Sequence, residues 1–109
     1  YSSVSVQNKL KQERLDLQKQ QRLNILEDSY SRALARLKEA QLSYELQSES
    51  LMRLKQTEVL FLTKFSTNSL GFEELVELQD LQLNLQLRRI DATVQCYTQY
   101  ALINYLINP

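Results

Sequence analysis

The chain has 109 residues, enough for one domain, yet it holds one glycine and one proline where average usage would give roughly 7% and 5%. So small a supply of turn formers excludes β-sandwich and α/β folds, which reverse direction many times. Thirteen basic and thirteen acidic side chains cancel, histidine is absent and cysteine occurs once, so a basic nucleic-acid stripe is disfavoured and a zinc site or intrachain disulfide is excluded.

Leu, Gln, Lys, Arg and Glu dominate, and all are good helix formers. The expected class is all-α: a long antiparallel helical hairpin of coiled-coil type, forming one domain over residues 1–109. The predicted boundaries are a helix over 4–66, a turn over 66–71 and a second helix over 72–107. In the first helix a stripe at alternating three- and four-residue spacing runs through Leu23, Leu26, Tyr30, Ala33, Leu37, Ala40, Tyr44, Leu51, Leu54, Phe61 and Phe65. Its register also passes through Gln47 and Glu58, which makes the seam imperfect. Ala33 and Ala40 between larger residues suit close, interlocking helix contacts. Asp28 with Arg32, and Glu49 with Arg53, stand in the favourable i,i+4 order, each pair worth ~0.2–0.5 kcal/mol.

The break between the helices reads Ser66, Thr67, Asn68, Ser69, Leu70, Gly71. Asn68 suits the left-handed conformation that ends a helix. Gly71 can serve as N-cap, with Glu74 reaching back as in a capping box. Glu73, Glu74 and Glu77 follow in the first turns, where the helix dipole favours anions.

The second helix carries two apolar seams. One holds Val76, Leu83, Leu87, Ile90, Val94, Tyr97 and Ala101; the other holds Leu75, Leu78, Leu85, Ala92, Cys96, Ile103 and Leu106. Two seams predict neighbours on two sides. Residues 81–87 alternate Leu with Gln and Asn like a strand, but helical flanks and the lack of bounding turns favour helix.

The arms are unequal. At 1.5 Å per residue the first helix would span ~95 Å and the second ~55 Å, so the first half of the long helix needs a partner from elsewhere. Its residues 9–22 are basic on balance, whereas 68–87 carry only acidic charges and 92–109 carry none. The longest unbroken apolar run, Val59 to Leu62, is far short of the ~20 residues of a membrane-spanning helix. A chain opening on Tyr1 reads as a segment of a larger or processed protein.

No catalytic constellation emerges, and the expectation is a non-enzyme without cofactor or metal. Cys96 has no histidine to activate it and sits on an apolar seam, where a small core residue is the ordinary reading. Glu73, Glu74, Glu77 and Asp80 cluster at a helix start, which usually means capping and solvation. Tyr97, Tyr100 and Tyr105 crowd the end of the second helix and suit an interface with wet hydroxyls.

Residues 64–79, reading Lys, Phe, Ser, Thr, Asn, Ser, Leu, Gly, Phe, Glu, Glu, Leu, Val, Glu, Leu, Gln, resemble the hairpin-tip motif of the TolC outer-membrane efflux family. Lys64 and Phe65 match its basic-aromatic pair, and Asn68 falls on its glycine. Phe72 and Leu75 match its apolar anchors, and Glu74 and Glu77 match its acidic positions. Gly71 departs from the usual Ser or Thr cap, and Ser69 from the usual apolar residue. A long helix before the tip and a shorter one after it are similar to the family's second repeat.

The resemblance implies a trimeric channel whose β-strands form an outer-membrane barrel and whose long helices form an α-helical barrel, the periplasmic tunnel. This chain would supply tunnel only. The implied partners are further copies in the trimer, a periplasmic adaptor (membrane fusion) protein and an inner-membrane pump, with no nucleic acid. The implied contact tip is Asn68, Ser69, Leu70 and Gly71, and the implied aperture residues are Phe65, Glu74 and Glu77. A structural coiled-coil scaffold or a BAR-like module is the alternative, although a BAR-like module needs a basic concave face. The hairpin of an adaptor protein would require flanking lipoyl-like strands.

Overall fold

The computed structural model describes residues 2–68 and 70–108. The described residues form two helices, α1 over Ser2–Ser66 and α2 over Phe72–Ile107. They pack antiparallel as a rod of 99 × 21 × 14 Å, in which the long dimension is that of α1 alone at 1.5 Å per residue. Residues 81–87 lie within α2: the apparent two-residue period does not override helical flanks when no turn bounds the segment.

The seam between the helices is regular. On α2, Leu75, Leu78, Gln82, Leu85, Arg89, Ala92, Cys96, Gln99, Ile103 and Leu106 are buried or half-buried, an unbroken alternation of three- and four-residue steps. On α1, Ala33, Leu37, Ala40, Gln47, Leu51, Leu54, Glu58 and Phe61 are buried or half-buried at the same spacing, with one gap at the exposed Tyr44. This is the heptad spacing that keeps one face of each helix toward the other. Small residues hold the closest approach: Ala33 is 1% exposed and Ala92 4%. Larger side chains there would push the axes apart.

Polar groups interrupt the apolar seam. Gln47 and Gln99 are buried. Gln82 Nε2 donates to Glu58 Oε2 at 2.6 Å, joining the helices through a half-buried bond. Gln99 Oε1 and Ser48 Oγ are buried with no hydrogen-bond partner, each an omission of about 1–3 kcal/mol.

Of the two seams on α2, α1 covers only one. Leu83, Leu87, Ile90 and Val94 on the other are all about half exposed or more. On α1 every residue from 2 to 28 is exposed, and Ser29 is the first half-buried one. The exposed surface is 9103 Å², against about 6,300 Å² for a compact monomer of this mass. The unpartnered turns draw helical support from within, where Gln12 Nε2 donates to Asp16 Oδ1 at 3.2 Å and Gln20 Nε2 to Asn24 Oδ1 at 3.1 Å. Arg32 Nε donates to the backbone carbonyl of Asp28 at 3.4 Å.

Candidate functional site

The reversal is built by capping at the end of α1, while the N-cap of α2 makes no side-chain hydrogen bond. The final carbonyls of an α-helix lack intrahelical donors, and the last residues of α1 supply them. Ser66 Oγ donates to the Thr63 carbonyl at 2.7 Å, Thr67 Oγ1 to that of Lys64 at 3.0 Å, and the Asn68 N–H to that of Phe65 at 3.0 Å. Thr63 Oγ1 donates to the Val59 carbonyl at 2.9 Å one turn earlier. Among the described residues Asn68 alone has positive φ, at 57°. Its short polar side chain makes that left-handed conformation accessible.

Gly71 stands at the N-cap of α2 with φ −80° and ψ 160°, extended backbone open to any residue. No conformational demand therefore selects glycine here. A Cβ on Gly71 would stand 2.5 Å from Glu74 Oε2. The Glu74 carboxylate thus folds back over the start of its own helix, the direction a capping box takes. Because the close atom ends a flexible side chain, a substituent at position 71 would displace it readily.

The tip residues divide by exposure. Asn68 and Gly71 are exposed and Leu70 is half-buried; Ser69 lies outside the described residues. Phe65 is 42% exposed and Phe72 69%, so two aromatic rings flank the reversal in contact with solvent. Leu75 lies in the seam and anchors the first turn of α2 against α1.

Glu74 and Glu77 line one shallow groove of about 360 Å³, together with Leu54, Thr57, Phe61, Leu78 and Leu81. Phe65 is not among its lining residues. Phe61, one turn earlier on the same stripe, lines the groove with the carboxylates instead. The stripe contained Phe61, and burial on the neighbouring helix singles it out. Ser66 and Thr67 were also legible as hydroxyl residues at a helix end, where such side chains bond to nearby carbonyls.

At the other end of the hairpin, Leu37, Gln41, Cys96, Tyr97 and Tyr100 line a second open groove of about 290 Å³. Cys96 is half-buried there with a free thiol. Tyr97, Tyr100 and Tyr105 are all exposed. Among the described residues, no group of three or more His, Cys, Asp or Glu side chains could hold a metal ion. No helix among them is long and apolar enough to cross a membrane. The chain as a whole is a long helical hairpin with one bare apolar seam and a solvent-facing tip; no family model, curated protein or solved structure matches it.

Proposed function

We propose that this chain is a periplasmic tunnel hairpin of a TolC-type outer-membrane efflux channel, acting by packing and contact and without catalysis. The observation that carries the reading is the reversal. Asn68 takes positive φ at the position where the tip motif has glycine, and α1 outruns α2 as in the family's second repeat. The bare seam of α2 and the exposed first turns of α1 support the same reading, since a tunnel wall needs each hairpin to meet neighbours on both flanks.

In this proposal the channel is a trimer that joins an inner-membrane pump through a periplasmic adaptor protein. Asn68, Ser69, Leu70 and Gly71 meet the adaptor, while Phe65, Glu74 and Glu77 stand at the aperture. Repeated around an axis, the carboxylates at 74 and 77 would form a ring that attracts cations and repels anions, with a salt-dependent reach of about 10 Å at 0.1 M. Planar-bilayer recording on the full-length channel carrying this hairpin tests it. Glu74→Gln with Glu77→Gln should change conductance and relieve block by divalent cations. Unchanged conductance and block would remove these carboxylates from the aperture.

A structural scaffold is the second reading, favoured by the unpaired stretch over residues 2–28, which any apolar helix could cover. The BAR-like version fits less well, because the start of α2 carries only acidic charges.

A further inference from the structure

We draw no further inference here: the strongest candidate, the bare apolar seam of α2 through Val76, Leu83, Leu87, Ile90 and Val94 with the exposed first turns of α1 beyond it, carries nothing because nothing in the structure shows what covers it.

Discussion

At Asn68 a φ of 57° sets a simple steric test. A residue with a β-carbon and no compensating polar group pays roughly 1–2 kcal/mol for the left-handed region. Asn68→Gly should leave stability unchanged within about 0.5 kcal/mol, or raise it slightly. Asn68→Val should lower it by about 1–2 kcal/mol, read from urea denaturation followed by circular dichroism. Equal stability of the two variants would mean that the turn relaxes to a different conformation. Glu74 and Glu77 offer a second contrast. Glu74 lies in the first turn of α2, where the dipole interaction is worth about 0.3–1 kcal/mol, and Glu77 lies beyond it, so Gln at both positions should cost little stability even where it changes conductance. A large fall in melting temperature with unchanged conductance would assign them to capping alone. Asn68 was legible in the sequence because few residue types tolerate positive φ. Gly71 as N-cap with Glu74 turned back toward it was legible as well, although its extended backbone is open to any residue.

On α1, spacing identified most of the residues that face α2 between Ala33 and Phe61, because a three-four alternation keeps to one face of a 3.6-residue helix; Tyr44, on the same stripe, is 44% exposed. On α2 spacing identified two seams but could not choose between them. Both are apolar, and the choice depends on which way the turn aims the returning helix. The covered seam contains the polar residues Gln82, Arg89 and Gln99, so hydrophobicity would have misjudged it. The Gln82–Glu58 bond accounts for part of that polarity. Gln82→Leu leaves the half-buried Glu58 carboxylate without this donor and should cost about 1–2 kcal/mol. Adding Glu58→Leu should recover most of it, because two facing leucines pack in place of the pair. A double-mutant cycle checks this, and strictly additive effects would show that the bond is energetically idle. The close approach at Ala92 makes the complementary point. Ala92→Leu should overpack the seam and destabilise the hairpin by about 1–3 kcal/mol.

As a whole molecule the chain leaves most of its large apolar side chains outside. Leu10, Leu15, Leu17, Leu23 and Leu26 on α1 are each about half exposed or more, as are Leu83, Leu87, Ile90 and Val94 on α2. Among the described residues the buried apolar set is four leucines and three alanines, a thin core for a rod of this length. The chain should therefore self-associate in solution. Sedimentation equilibrium over a concentration series should show mass rising above that of one chain, while a helical species that stays monomeric at high concentration would argue against it. The hairpin itself was legible because it follows from local rules: two periodic runs and one breaker-rich turn. The number and direction of neighbouring helices was not, because an apolar seam specifies burial without specifying a partner. The central claim concerns the tip, and one measurement reaches it most directly. Cells producing the full-length channel with Leu70→Arg should lose export of the pump's substrates while the channel accumulates in the outer membrane at its normal level. Leu70 stands in the turn between α1 and α2 and is half-buried, so the normal channel level is the control that separates a lost docking contact from a misfolded tip. Export that survives this change at normal channel levels would contradict the account.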